Sequence, residues 1–339
     1  MERTAAAGQK YNMVGRKYLL FVFALVFLAA CRNEPSSVRE ETPAVVKKDP
    51  VAIPAFHRDS AYAYVEKQVS FGPRVVGSEG HAACKEWLVA KLESWNIAVR
   101  EQPFTAELYT GVSPTGTNII GSINPQEKRR ILLAAHWDTR HIADQDKNQD
   151  RKDDPISGAD DGGSGVAVLL EIARTIMQNE IELGVDIVFF DAEDHGQSSD
   201  GNSSWCLGSK YWSRNYQGPK PEYGILLDMV GATGATFRRD QISLQYARPV
   251  ADKVWNMANS MGYGNYFIKQ DLPAFTDDHL FVNEIANIPM IDICNRSVRG
   301  FGTHWHTHND NINIIDRSVM RVVGQVLLAV LYKESTGHI

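Results

Sequence analysis

Arg130-Ile131-Leu132-Leu133-Ala134-Ala135-His136 decides the fold. Its five consecutive apolar side chains leave no polar face, so the segment reads as a strand buried on both sides. It ends on polar groups, His136-Trp137-Asp138. A second run of the same kind, Val185-Asp186-Ile187-Val188-Phe189-Phe190-Asp191, leads into Asp191-Ala192-Glu193-Asp194. Between the two, Gly162-Gly163-Ser164-Gly165 opens a helical pattern over Gly165 to Met177. Strand, helix and strand in alternation are the mark of an α/β architecture. Further out, Ala82, Ala83, Trp87, Leu88, Val89 and Leu92 recur at helical spacing in Glu79 to Trp95. Strands are expected at Gly224 to Met229 and Pro289 to Ile293, and a last helix at Arg317 to Tyr332. There is no internal repeat. His136, Asp138, Asp161, Glu193, Asp194 and Asp228 all fall at or just beyond strand ends, where open α/β sheets bind ligands. Polar groups scattered over ninety residues of sequence are therefore expected to meet on one rim.

The first residues carry a different message. Arg16 and Lys17 precede the apolar run Tyr18 to Phe27, followed by Leu28-Ala29-Ala30-Cys31. A basic flank, a short apolar core and small residues before the cut describe an export signal rather than a membrane span, which needs roughly 20 apolar residues. Small residues directly before Cys resemble the lipobox of bacterial lipoproteins. The expectation is a signal peptide over 1–30, a lipid on Cys31, a tether over 31–55 and one catalytic domain over 56–339. That puts the chain in the bacterial cell envelope, lipid-anchored and facing the periplasm. Residues 32–55 suit a tether, being polar and charged with Pro35, Pro43, Pro50 and Pro54. Losing Arg3, Lys10, Arg16, Lys17 and Glu2 takes the formal charge from -6 to -9, which argues against a nucleic-acid partner. Cys84, Cys206 and Cys294 remain. Three is odd, so no complete disulfide framework follows, and buried unpaired thiols are the preferred reading.

The rim residues have the chemistry of metal ligands. Catalytic zinc takes three protein ligands from His, Asp or Glu, supported by hydrogen bonds from outside. The chain offers His136-Trp137-Asp138, Asp160-Asp161, Asp191-Ala192-Glu193-Asp194, Asp228 and Thr303-His304-Trp305-His306-Thr307. A single acidic pair at a strand end is usually a solvated turn. Five such groups, each beside a strand, are not explained that way.

Their order and spacing resemble the zinc aminopeptidase superfamily, and within it the glutaminyl cyclases of animals and some bacteria. The likeness covers nearly all of residues 56–337. It includes Phe71-Gly72-Pro73-Arg74-Val75-Val76-Gly77-Ser78, the turn Gly158-Ala159-Asp160-Asp161-Gly162-Gly163-Ser164-Gly165 and the run Phe189-Phe190-Asp191-Ala192-Glu193-Asp194. The resemblance implies a three-layer α/β/α fold around a central mixed, mostly parallel twisted sheet. It implies one Zn²⁺ per chain on Asp161, Asp194 and His306, with Glu193 as general base. The substrates implied are N-terminal glutaminyl peptides or exported proteins, closed to pyroglutamate with release of ammonia. His136 and Asp228 stand where aminopeptidases hold a second zinc and where cyclases keep hydrogen-bonding groups, so the ligand set leaves an aminopeptidase open. The surroundings favour the cyclase. Trp305 directly before the last ligand and Phe301 four positions earlier match the cyclase pattern and suit a small flat ring. Asp277-Asp278-His279 matches a segment whose second Asp contacts substrate, which implies Asp278. Asp228 and Asp278 are thus expected to assist catalysis, with His136 in the substrate-binding set.

Two departures stand out. Asp194 replaces the Glu of animal cyclases, and zinc accepts either carboxylate. Ser199 stands where those enzymes carry a substrate-binding Trp; Trp205, six residues on, is the candidate to replace it, with core packing the alternative. Other patterns carry less. Asp144-Gln145-Asp146-Lys147-Asn148-Gln149-Asp150 begins like a calcium loop but lacks the Gly at its sixth place and the acid at its twelfth, and reads as a solvated loop. His304 and His308 read as bystanders of His306. Gly162-Gly163-Ser164-Gly165 lacks the Lys and spacing of a phosphate loop.

Overall fold

The computed structural model describes residues 50–339; the signal segment, Cys31 and all but the end of the tether lie outside the described residues. Six strands form the central sheet: β1 (Ala98–Thr105), β2 (Thr115–Ile123), β3 (Arg130–His136), β4 (Gly184–Phe190), β5 (Tyr223–Asp228) and, after a separate pair β6 (Phe237–Asp240) and β7 (Phe267–Leu272), β8 (Met290–Cys294). Their order across the sheet is β1-β2-β4-β3-β5-β8. The four strands β4, β3, β5 and β8 run parallel, while β1 and β2 pair antiparallel at one edge. The apolar run that opened the reading is the central strand: every residue of β3 is buried.

Helices α1 (Arg58–Val69), α2 (Glu79–Glu93), α3 (Gly163–Gln178), α4 (Leu207–Arg214), α5 (Gln241–Ser260), α6 (Asp278–Phe281) and α7 (Arg317–Ser335) cover the two faces. Alternation along β3 sorts its side chains between them. Ile131, Leu133 and Ala135 enter the larger core with α1, α3, α5 and α7; Leu132 and Ala134 meet Trp212 of α4, Val282 and Met290 on the other side. Each such buried Leu or Ile contributes about 1.5–3 kcal/mol relative to exposure.

The connection β3–α3–β4 crosses one face and β4–α4–β5 the opposite one, so the loops leaving β3 and β4 diverge. The crevice that this opens at the carboxyl ends of the strands is where such sheets hold ligands. The expected strands and helices agree with the structure to within about three residues at their ends. Helices α1, α4, α5 and α6, the hairpin β1–β2 and the pair β6–β7 are additions. Helix α5 bends at Ala247 (φ -140°), two residues before Pro249, and Pro disfavours helical backbone just ahead of it. Cys84, Cys206 and Cys294 are buried and free. Among the described residues no helix is long and apolar enough to cross a membrane.

Candidate active site

The turn after β3 is built first. Gly162 (φ +88°) caps α3, and a Cβ there would sit 2.4 Å from the Asp138 carbonyl oxygen and 3.1 Å from the His136 ring. Only glycine permits that approach, and it places Asp161 beside His136. Behind it the buried Arg74 donates to the carbonyls of Trp137, Ser157 and Gly158, which pins the two arms of the crevice. Asp138 accepts from the backbone N–H of Glu193 at 3.0 Å and of Asp194 at 3.2 Å. Asp310 accepts from the N–H groups of Asp160 and Asp161. The acidic segments thus orient one another through backbone donors.

Asp161, Asp194 and His306 converge. His306 Nε2 is 3.1 Å from Asp194 Oδ1 and 3.8 Å from Asp161 Oδ2. Both Asp194 oxygens and Asp161 Oδ2 are buried with no hydrogen-bond donor. Buried carboxylate oxygens without donors are costly, and two carboxylates with one imidazole are the donor set zinc takes in open catalytic sites. The residues fit the metal. His136 also lies 3.1 Å from Asp161 Oδ1 and 3.3 Å from Asp228 Oδ1, so a second triad shares Asp161. Asp228 in turn accepts from the Cys294 thiol at 3.4 Å.

Beside this centre lies a cavity of about 320 Å³ lined by Asp161, Glu193, Asp194, Trp205, Asp228, Phe275, Asp277, Phe301, Trp305 and His306, among others. Trp305 stacks on His306 at 3.7 Å and on Phe301 at 4.6 Å. Phe301 is held by a two-residue strand pair, 296–297 with 300–301, and meets Phe275 edge-on at 5.7 Å. Trp205 lies parallel to His306 at 6.3 Å, under the Arg140 guanidinium; it faces the cavity while Ser199 sits in a short 3₁₀ turn nearby. Burial first, then the charges of Asp194, Asp277 and Asp278, push the Glu193 carboxyl far above its ordinary value. A bound divalent cation acts in the opposite sense.

Asp278 differs from expectation. It is fully buried and absent from the cavity wall, whereas Asp277 lines the wall. The cause is local: Asp277 is the extended N-cap of α6 (φ -158°, ψ 174°), and Asp278 is the first helical residue, so their side chains diverge. Burial raises both carboxyls, and the charge of Asp228 adds to it at Asp277 as that of Asp277 does at Asp278. The acidic loop also differs from a solvated one. Asp144 Oδ1 lies 3.2 Å from His306 Nδ1 and takes Arg140 Nε at 3.1 Å. The loop is strapped to the ligand segment by Gln145 N–H to the His306 carbonyl and His308 N–H to Asp146. His304 bonds Asp160 at 2.9 Å and His308 faces the Arg151 carbonyl, so both stay outside the triad. The sequence reading missed Phe275, Cys206, Asp144 and Asp277; only Asp277 carried a signal, that of an N-cap.

Backbone strain collects here. Seven non-glycine described residues have positive φ; three are asparagines, and the other four are Ala192, Cys206, Met229 and His306, all at the site. Residues other than Gly, Asn and Asp rarely adopt this conformation unless the surrounding structure holds them in it.

The chain is similar to proteins of known family and structure. The model of Peptidase family M28 matches residues 118–331. A solved glutaminyl cyclase from Porphyromonas gingivalis is 49% identical, with 84% of this chain and 100% of that chain covered and a TM-score of 0.81. A Zn-dependent exopeptidase from Parabacteroides distasonis is 46% identical, with coverage of 83% and 99% and the same TM-score of 0.81. The glutaminyl-peptide cyclotransferase of Drosophila melanogaster is 23% identical over 276 residues, 72% of each protein. The chain belongs to peptidase family M28, and within that zinc-dependent family it stands among the glutaminyl cyclases.

Proposed function

We propose that the chain is a zinc-dependent glutaminyl-peptide cyclotransferase, with one zinc held by Asp161, Asp194 and His306. It converts N-terminal glutamine to pyroglutamate and releases ammonia. The observation that carries this reading is the aromatic wall. Trp305, Phe301, Phe275 and Trp205 enclose a small chamber directly against the triad. Such a wall matches a flat, uncharged five-membered ring.

When bound, the zinc supplies a Lewis acid for the glutamine side-chain carbonyl. The attacking group is the substrate's own α-amine, whose ordinary pKa of about 7.7–8.0 leaves a neutral fraction at working pH. As the amine nitrogen bonds to the side-chain carbonyl carbon, Glu193 takes its proton. Glu193 then returns that proton to the departing nitrogen as the carbon–nitrogen bond of the side-chain amide breaks, giving ammonia. Asp277, one residue from the expected Asp278, holds the amine in register. His136 and Asp228 keep their mutual hydrogen bond and fix the Asp161 carboxylate. The stacked rings exclude water, and attack within one molecule gains from proximity.

Ammonia release from a Gln-initiated peptide, run beside Leu-anilide hydrolysis and a zinc count, tests this. Ammonia without anilide cleavage, at near one zinc per chain, is expected; anilide cleavage at near two zincs would make the chain an aminopeptidase. The Ala-Ala-Cys segment supports a lipid on Cys31, a periplasm-facing enzyme and exported glutaminyl proteins as substrates. Labelled fatty acid should enter the wild type and not Cys31→Ser; equal labelling of both would sink the anchor.

A further inference from the structure

A third group of donors lies beside the centre and shares no residue with either metal triad. Glu193, Cys206 and Asp277 each offer an atom, and these atoms lie within 4.8 Å of one another. Cys206 Sγ stands 3.3 Å from Glu193 Oε1. The thiol is held there by backbone as well: Cys206 N–H donates to the Glu193 carbonyl at 3.0 Å and Leu207 N–H to that of Ala192 at 3.0 Å, with Cys206 itself in the left-handed region (φ +54°). Asp277 is 4% exposed; its Oδ1 accepts from Asp278 N–H, while its Oδ2 has no donor. No lysine or arginine is among the residues that line the cavity beside this group.

We infer that Glu193, Cys206 and Asp277 form a second, inhibitory site for a thiophilic divalent cation such as Zn²⁺ or Cd²⁺. Bond lengths of about 2.3 Å to sulfur and about 2.0 Å to oxygen put tetrahedral donors about 3.5 Å apart. The Sγ–Oε1 separation already matches that spacing. A thiolate among carboxylates selects zinc or cadmium over magnesium or calcium. Binding releases the Cys206 proton to solvent as the sulfur–metal bond forms, with no change of oxidation state. The cation occupies the carboxylates assigned to proton transfer and amine binding, so it competes with substrate. The inhibition rests on the cyclase reading; the binding does not.

The zinc-loaded full-length enzyme, dialysed free of excess metal, is titrated with cadmium chloride. Two signals are read together: the ultraviolet thiolate-to-cadmium charge-transfer band and ammonia release. The Asp161–Asp194–His306 centre contains no sulfur, so cadmium exchanged into it is silent in that band. One equivalent should raise the band and inhibit competitively. In Cys206→Ser the band should vanish. The cadmium needed for half inhibition should rise at least about tenfold, the scale on which even outer partners change metal affinity. Cys294→Ser, which removes the thiol beside Asp228, should keep the band. No band in the wild type, a band that survives Cys206→Ser, or one lost with Cys294→Ser would overturn the site. The wild-type and Cys294→Ser arms decide even if Cys206→Ser fails to fold. A band in an enzyme that never releases ammonia would sink the cyclase reading and leave the site standing.

Discussion

Replacing Asp144 with Asn should loosen the metal without touching any of its ligands. His306 presents Nε2 to Asp194 and Asp161 and Nδ1 to Asp144, at 3.2 Å. Burial works to raise the Asp144 carboxyl, but the close contact with His306 and the charge of Arg140 overcome it and hold the group ionised. An ionised carboxylate on the far nitrogen fixes the tautomer and ring plane of the ligating imidazole. Losing such a partner costs about 10–100-fold in metal affinity, or about 1.4–2.7 kcal/mol. The Asp144 side chain is 33% exposed, so water screens part of the effect and the lower end, about tenfold, is expected. The loop itself should hold, because Gln145 N–H to the His306 carbonyl and His308 N–H to Asp146 are untouched. Zinc affinity is read by competition with a chelator of known strength, and ammonia release is followed against free zinc. At saturating zinc the variant should recover most of its turnover. Wild-type zinc affinity in the variant would refute the argument, and turnover that stays lost at saturating zinc would mean Asp144 acts on the reaction rather than on the metal.

Four further outcomes are expected. Glu193→Gln should keep its zinc and lose about 10²–10⁴-fold in ammonia release, the usual worth of a positioned acid–base group; turnover left largely intact would remove Glu193 from that role. Trp305→Ala takes away stacks on His306 and Phe301, each worth about 0.5–1.5 kcal/mol, so kcat/KM should fall about tenfold, mainly through KM. Leu133→Ala, in the fully buried β3, should cost about 2–5 kcal/mol in urea unfolding with little change at the site. Asp240 caps α5, where burial is outweighed by His279 and Ser243 and its carboxyl sits at about 2. That value is depressed, so the stability it adds, about 2 kcal/mol, is fully present above about pH 4 and fades as pH falls through 2. The gap in unfolding free energy between wild type and Asp240→Asn, measured on chelated protein, should shrink across that window, and a gap constant with pH would contradict it.

The sequence by itself determined the elements whose character is local. Ile131 to Ala135, Ile187 to Phe190 and Ile225 to Leu227 are apolar on both faces, and no surface strand reads that way. The acids and His136 at their ends were therefore bound to share a rim, and the cluster of Asp161, Asp194 and His306 was legible because its members stand at those ends or in a recognised segment. What the tertiary structure decided depends on direction and on distant partners. Whether Asp277 or Asp278 faces the chamber turns on one change of backbone conformation at the start of α6, which composition does not record. Asp144 approaches His306 from 162 residues away and Cys206 approaches Glu193 across a loop; a hydrophilic stretch and a lone cysteine look the same in sequence whether they meet such a partner or water. The strand order, with β4 and β5 flanking β3, follows from which helix covers which face. Periodicity reports how deeply a segment is buried, whereas the packing of the whole chain selects its neighbours.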